Sequence, residues 1–570
     1  MSSSLSLVFG PSSPPLWNKT VADLIHEQES KYADREAVVV PWQSARLTYG
    51  RLGQRSALLA KALLGGGFKR GDCVGIMAGN CYQYLEIFLG AGRIGCPVAV
   101  FNNTFSPREL KAMIERTDCK GIFIAPEVGN RNLQGHLRMI TDAPRGELPI
   151  RLLVLLAEVL HPMTGIKCQT YDEYMASIEA GFVSDSLLSR AESKVAPADV
   201  VNFSFTSGTT GLSKAAALTN NNIINNGRYL GLAMQLTEED VLCCPPPLFH
   251  AFGLVIGFLT SFCHGSKIVF PAPTFDANAA LDAVVQEKAT ALLGVPSMFL
   301  AILEELKKTP RRIEAVRTGI AGGAAVPPVL IRRLEREMGL PHLLTAYGMT
   351  ETGPVSFVTS IEDTRNGVLG TVGQVLPHCA GKVVDGEDNI VPRGTPGHIC
   401  TSGHGLQKGY WGDKAQTAQA MRPDAEGVVW MYTGDEGFLD QAGYMHITGR
   451  IKDIIIRGGE NISPIEIEGR LAEHPDIKEC CVVGLEDSLY GEVVSCFLGS
   501  AGARRPSDNE IRSWVKAEMD HTKAPSHIFW LGEPDVGEEL PKTGSGKYQK
   551  HLIQAKGNAL LKSRGICAKL

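Results

Sequence analysis

The strongest constraint on this chain is an alternation that begins near residue 38 and runs past residue 120. Val38-Val39-Val40 is a short β-branched run. Thr48 then stands as an N-cap before a segment whose apolar residues, Leu52, Leu58, Leu59 and Leu63, recur at helical spacing and stop at Gly65-Gly66-Gly67. A second strand is predicted from Cys73 to Met77, a helix through Tyr84, Ile87 and Phe88, and a third strand over Pro97-Val98-Ala99-Val100-Phe101. Ser106-Pro107-Arg108-Glu109 joins a capping box to a proline at the first helical position, and Gly121 to Ala125 reads as the next strand. Repeated strand–helix–strand order predicts an α/β architecture of parallel sheets covered by helices.

A chain of 570 residues exceeds one core and predicts about three or four units of ordinary size. Hydrophobic residues at 44% and charged residues at 21% give enough apolar surface to bury, which excludes a disordered chain. Near Gly449-Arg450 the character changes. Cys480 to Val483, Val493 to Leu498 and Ile528 to Leu531 look like strands there, and Ser507-Asp508-Asn509-Glu510 opens a helix with a second capping box. The expected division is a large N-terminal domain, residues 1–448, and a small α+β C-terminal domain, residues 456–570, of about 115 residues.

The net charge is −5 with no long basic run, which removes support for a nucleic-acid-binding surface. The 14 cysteines form no C-x-x-C pair, so zinc ribbons and thioredoxin-like sites find no framework and buried free thiols are expected. The N-terminus lacks a basic start and a sustained apolar region, so no secretory signal is expected. Gly253 to Phe270, the most apolar stretch, is interrupted by Thr260, Ser261, His264 and Lys267, and no membrane span is expected.

Phosphate chemistry is concentrated in Phe205-Thr206-Ser207-Gly208-Thr209-Thr210-Gly211-Leu212-Ser213-Lys214. Its glycines let backbone N–H groups turn inward, its hydroxyls add donors and Lys214 adds charge, so the run can wrap phosphate oxygens. It is not a Walker loop, because only two residues separate Gly208 from Gly211. A Ser/Thr/Gly loop between strands is the alternative. Five further stretches accompany it. Ala321-Gly322-Gly323-Ala324-Ala325 can bring backbone close to a flat ligand. Thr345-Ala346-Tyr347-Gly348-Met349-Thr350-Glu351 offers an aromatic face, a hydroxyl and a carboxylate suited to Mg²⁺. Tyr432-Thr433-Gly434-Asp435 presents a carboxylate, at the end of an apolar strand, able to hold two ribose hydroxyls; a capping aspartate is the ordinary alternative. A long run from Gly449 to Glu468 and a glycine loop, Pro541 to Lys547, complete the set. Gly397 to Gly412 reads as structural, without chemistry.

In this order and at these intervals, the stretches resemble the adenylate-forming superfamily of acyl-CoA synthetases, adenylation domains and beetle luciferases, from about Thr48 to Lys550. Within it the chain is most similar to medium-chain acyl-CoA synthetases. The resemblance implies ATP, Mg²⁺ and CoA, and two half-reactions: a carboxylate attacks the α-phosphorus to give acyl-AMP and pyrophosphate, and CoA then displaces AMP. Thr206 to Lys214 would hold the β- and γ-phosphates. Gly322, Gly323, Ala324 and Tyr347, with Thr345, Ala346, Gly348 and Met349 around it, would form the nucleotide pocket. Thr350 would touch the α-phosphate and Glu351 would bind Mg²⁺. Asp435 and Arg450 match the ribose-binding pair, and Lys547 matches the catalytic lysine bridging carboxylate and α-phosphate. Lys452 falls at the family's hinge, within residues 449–455, about which the C-terminal domain rotates. That rotation would bring Gly458, Gly459 and Glu460, and with them Ala524, Pro525 and Ser526, to CoA. His398 stands where glutamate is frequent, and little effect is expected from it.

Pro245-Pro246-Pro247-Leu248-Phe249-His250-Ala251-Phe252 resembles the wall of the acyl pocket, with His250 near ATP and the carboxylate; a histidine satisfied in the core is the alternative. No carboxylate lies between Phe249 and Phe258 to meet an amino acid's ammonium. The leading expectation is an ATP-dependent acyl-CoA ligase for a medium-chain or specialised aliphatic acid. An aryl-acid ligase of the 4-coumarate type and a luciferase-like oxidative enzyme remain alternatives. Ala568-Lys569-Leu570 resembles the Ser-Lys-Leu address, so peroxisomal location through the import receptor is expected.

Overall fold

The structure, a computed structural model, describes residues 4–144, 146–157, 168–179, 183–206, 213–502, 504–543 and 547–565. Among the described residues three large sheets and one two-stranded ribbon build the large N-terminal domain, and a five-stranded sheet builds the small C-terminal one. The first, of seven strands, holds Cys73–Met77 at its centre, with Val98–Val100 and Cys119–Ile124 parallel to it on either side. Its far edge is Val200–Thr206 followed by the antiparallel Lys214–Thr219. The expected crossovers are present. Thr48 accepts from the Arg51 amide to start the helix Tyr49–Gly65, and Ser106 and Glu109 form a reciprocal cap on Pro107–Thr117.

A nine-stranded sheet is parallel through its middle, where Ala291–Gly294, Thr318–Gly322 and His342–Gly348 lie side by side, and antiparallel at both ends. The two sheets are joined by one core. Leu52, Leu59, Tyr84, Ile87 and Phe88 from helices under the first sheet belong to the same buried cluster as Ile223, Val255, Phe258 and Ile320. The apolar segment after the three prolines is a π-helix, Phe252–Leu259, every residue of which is buried. No helix among the described residues is long and apolar enough to cross a membrane. The third sheet is antiparallel and aligns Gly397–Gly403, Val429–Leu439 and Met445–Arg450.

The C-terminal sheet has five strands, including Ile477–Asp487, Gly491–Ser500 and His527–Trp530. Alternate residues of the first of these face two separate cores: Val482 packs with Ile467, Ile511 and Trp530, while Cys481 and Val483 pack with Phe529, Ile553 and Leu560. Both faces of the sheet are therefore covered. The described cysteines are all free, and most are buried.

Candidate active site

Several of the predicted residues of the N-terminal domain lie at the carboxyl ends of strands, where ligands enter open α/β sheets. Thr206 ends one strand of the seven-stranded sheet. Gly322 and Gly348 end two adjacent parallel strands of the nine-stranded sheet. Thr206 pairs with Lys214 in the antiparallel ladder, so the phosphate-loop stretch is the connection of a hairpin. Ser207, Gly208, Thr209, Thr210, Gly211 and Leu212 lie outside the described residues. The carbonyl of Ser213 accepts a 3.0 Å hydrogen bond from Arg116, a residue sequence reasoning missed because it lies on a distant helix.

Gly322 and Gly323 are required by geometry. A Cβ on Gly322 would stand 2.9 Å from the Ala346 carbonyl oxygen, and Gly323 has a φ of +82°. Thr345, Ala346, Tyr347 and Gly348 belong to the strand His342–Gly348, and Met349 leads into the short 3-10 turn Thr350–Thr352. Tyr347 donates from its hydroxyl to Asp435 Oδ2 at 2.7 Å, and Arg450 Nε meets Asp435 Oδ1 at 2.9 Å. Asp435 and Arg450 face each other in register across two antiparallel strands, which explains why residues 15 apart form a pair. Burial first, and then the Asp435 charge, push the Tyr347 hydroxyl well above its usual pKa, so it remains a donor. The Asp435 charge raises the pKa of Arg450.

One expectation is corrected here. Asp435 lies within the strand Val429–Leu439, not at its end. Its side chain reaches the site because the ladder shifts between Glu436 and Gly437 and Gly434 adopts a φ of +77°. His398, expected to matter little, accepts from the Gly434 amide through Nε2 at 2.9 Å. Burial lowers its pKa, which keeps that nitrogen free to accept.

Glu351 is buried, and its Oε1 accepts from Thr206 Oγ1 at 3.1 Å and from the Tyr410 hydroxyl at 2.8 Å. The stretch 397–412 therefore does carry a residue of the site, contrary to its reading as structural. A tyrosine in a Gly-Tyr-Trp-Gly run announces no partner, since the contact is formed only when the third sheet docks. Among the described residues no donor reaches Glu351 Oε2, and no cluster of three or more metal-ligating side chains exists. A lone carboxylate oxygen fits Mg²⁺ that takes its other ligands from phosphate and water, and does not fit a cation caged by protein alone.

Lys547 comes from the other domain and completes the cluster. A Cβ on Gly323 would come within 3.5 Å of Lys547 Cε, and the backbone of Lys547 is held by Thr543, whose amide donates to the Lys547 carbonyl at 2.7 Å. Burial and the nearby Arg450 lower the pKa of Lys547, while the Asp435 and Glu351 charges oppose that fall. His250 lies beside it. Burial and the Lys547 charge push this histidine down to about 3, and its Nδ1 accepts from the Phe252 amide at 3.1 Å. His250 is thus a neutral acceptor at the start of the π-helix.

The CoA candidates are not part of this cluster. Gly458, Gly459 and Glu460 form an exposed turn of the C-terminal sheet, where the Gly458 amide donates to the Tyr490 carbonyl. The carbonyls of Pro525 and Ser526 accept from Arg512, and Ala524 ends a short 3-10 turn in the same domain. Lys452 is exposed in the 3-10 turn Ile451–Asp453, between the last strand of the large domain and the first of the small one.

A family model described as AMP-binding enzyme matches residues 25–411, and that of the AMP-binding enzyme C-terminal domain matches residues 466–547. The chain belongs to the AMP-binding enzyme family. Among relatives of this family, the acyl-CoA ligase sidI of Beauveria bassiana is 44% identical over 99% of this chain and 97% of its own. The mitochondrial medium-chain acyl-CoA ligase of Rattus norvegicus is 31% identical over 96% of this chain and 89% of its own. The crystal structure of an anthranilate CoA ligase in complex with anthranoyl-AMP shares the fold, with a TM-score of 0.82 and 21% identity over 97% of this chain and 99% of that one.

Proposed function

We infer that the protein is an AMP-forming acyl-CoA ligase. The observation that carries this reading is Lys547. A lysine from the small domain packs against Gly323, beside His250 and among the charges of Arg450, Asp435 and Glu351. That is the place where a carboxylate and the α-phosphate of ATP would meet.

In the first half-reaction the substrate carboxylate oxygen attacks the α-phosphorus and the bond to pyrophosphate breaks. Negative charge accumulates on the phosphoryl oxygens, and a preorganised cation in a site closed to water stabilises it. Lys547 supplies that cation, Asp435 and Arg450 fix the ribose, and Lys214 with Thr206 faces the departing phosphates. Mg²⁺, when bound, would neutralise phosphate charge, with Glu351 as its protein ligand. In the second half-reaction the CoA thiolate attacks the acyl carbonyl and AMP leaves. Lys547 has no role in that step, which fits rotation of the small domain about Lys452 to present Gly458 to Glu460.

The substrate class we propose is a medium-chain or specialised aliphatic acid. Support comes from the wholly apolar, buried π-helix Phe252–Leu259 beginning two residues after His250. Aliphatic, branched, hydroxylated and aryl acids tested for ATP-dependent thioester formation decide it; preference for aryl acids would replace this reading by a 4-coumarate-type one. Peroxisomal import is proposed from the tripeptide Ala568-Lys569-Leu570, outside the described residues. Deleting the tripeptide leaves the protein diffuse if this is correct, and continued import rejects it.

A further inference from the structure

Tyr410 makes two contacts that the reaction scheme above leaves without a purpose. Its hydroxyl donates to Glu351 Oε1 at 2.8 Å, and its ring lies under the Lys214 ammonium, 4.8 Å from the ring centroid. Lys214 follows the phosphate-loop stretch and Glu351 is the carboxylate read as the cation ligand. One side chain therefore touches both groups expected to face the phosphates of ATP.

The position of Tyr410 is over-determined. Its segment is laced to the strand Lys214–Thr219 by backbone bonds on both sides: Lys408 N to Ala217 O at 2.9 Å, Ala217 N to Gly409 O at 3.1 Å and Trp411 N to Ala215 O at 2.8 Å. The Tyr410 amide donates to Thr417 Oγ1 at 2.9 Å, and Trp411 packs on Phe203 with ring centroids 5.0 Å apart. Glu351 is held through its backbone as well, since the Gln407 amide donates to the Glu351 carbonyl at 2.9 Å. A tyrosine fixed in this way has little freedom to lose when it binds the carboxylate.

We propose that Tyr410 is the positioning residue for the cation site: its hydroxyl, with that of Thr206, occupies Glu351 Oε1 and so turns Oε2 toward the metal, while its ring holds Lys214 on the phosphate side. Hydrogen bonds to the non-ligating atom of a metal ligand fix its orientation, and losing one costs about 10- to 100-fold in metal affinity. The ring contributes separately, as a face on which an ammonium rests.

This inference rests on Glu351 being the cation ligand, so the experiment includes that residue. ATP binding to the full chain is measured by calorimetry without acid substrate, once in excess Mg²⁺ and once in EDTA, for the wild type, Tyr410→Phe and Glu351→Gln. Phenylalanine keeps the ring under Lys214 and removes only the hydroxyl. Tyr410→Phe should weaken ATP binding in Mg²⁺ by about tenfold and raise the half-saturating Mg²⁺ concentration by a similar factor. In EDTA its affinity should stay within about twofold of wild type, the loss being confined to the metal-dependent increment. Equal weakening in both conditions would assign Tyr410 a structural role and overturn the proposal, as would an unchanged affinity in Mg²⁺. If Glu351→Gln leaves the Mg²⁺-dependent gain intact, the reading of Glu351 fails and the proposal falls with it. If Glu351→Gln abolishes the gain and Tyr410→Phe preserves it, the proposal for Tyr410 alone fails.

Discussion

Replacing Asp435 by asparagine tests the nucleotide end of the site and the charge balance around Lys547 together. The carboxylate is buried, accepts from Tyr347 and pairs with Arg450, and is read as the acceptor of two ribose hydroxyls. A hydrogen bond to a charged group contributes about 1.5–3 kcal/mol and a neutral one about 0.5–1.5 kcal/mol. Asparagine keeps the shape and loses the charge, so two weakened bonds cost about 2–3 kcal/mol, or roughly 30- to 150-fold in ATP affinity. The fold should suffer less. Arg450 is 57% exposed, so water screens the broken pair and the stability cost is about 1 kcal/mol or below. Lys547 should respond too. Asp435 opposes the fall of the Lys547 pKa that burial and Arg450 cause, so removing its charge lowers that pKa further. The ammonium is the working form and is lost as pH rises through its pKa. The alkaline limb of ATP–pyrophosphate exchange should therefore move to lower pH in Asp435→Asn. Calorimetry with ATP, thermal melting and exchange rates across about pH 6 to 10 read the three effects. ATP affinity within about threefold of wild type, with an unmoved alkaline limb, would refute the reasoning.

Two further substitutions separate the half-reactions. Gly323→Ala forces a left-handed residue to carry a Cβ, costing about 1–2 kcal/mol, and sets that Cβ 3.3 Å from Val295 Cγ1 and 3.5 Å from Lys547 Cε. Adenylation should slow by about tenfold, with thioester formation from supplied acyl-AMP little changed; equal slowing of both would show a general packing defect. Lys452→Pro stiffens the 3-10 turn Ile451–Asp453 between the domains, and should slow thioester formation more than adenylation. An unchanged ratio of the two rates, measured in single turnovers, would remove the hinge.

Much of the fold was legible because local rules and tertiary context agree in it. Thr48, Ser106 and Ser507 each cap the helix that their spacing predicts, and the apolar runs at 73–77 and 480–483 became strands. Such signals act over a few residues and need no knowledge of what packs where. The ordered motifs likewise brought Tyr347, Glu351, Asp435, Arg450 and Lys547 into one neighbourhood. What stayed hidden was created by contacts between segments distant in the sequence, whether across sheets or, for His398 and Gly434, between neighbouring strands of one sheet. Tyr410 meets Glu351 across 59 positions of sequence, and His398 meets the Gly434 amide across 36. Neither residue type advertises such a role, because a tyrosine in a glycine-rich run and a histidine in a strand are commonly packing residues. Asp435, expected at the end of an apolar strand, lies inside one, because Gly434 only bends a strand that continues to Leu439.

The central claim is that Lys547 serves the first half-reaction alone. Lys547→Ala, assayed for carboxylate-dependent pyrophosphate release and, separately, for thioester formation from supplied acyl-AMP and CoA, tests it most directly. Removing one preorganised charge-stabilising group costs about 100- to 1,000-fold, so pyrophosphate release should fall by that factor while thioester formation stays within about threefold of wild type. Equal loss in both halves, or pyrophosphate release that survives the substitution, would contradict it.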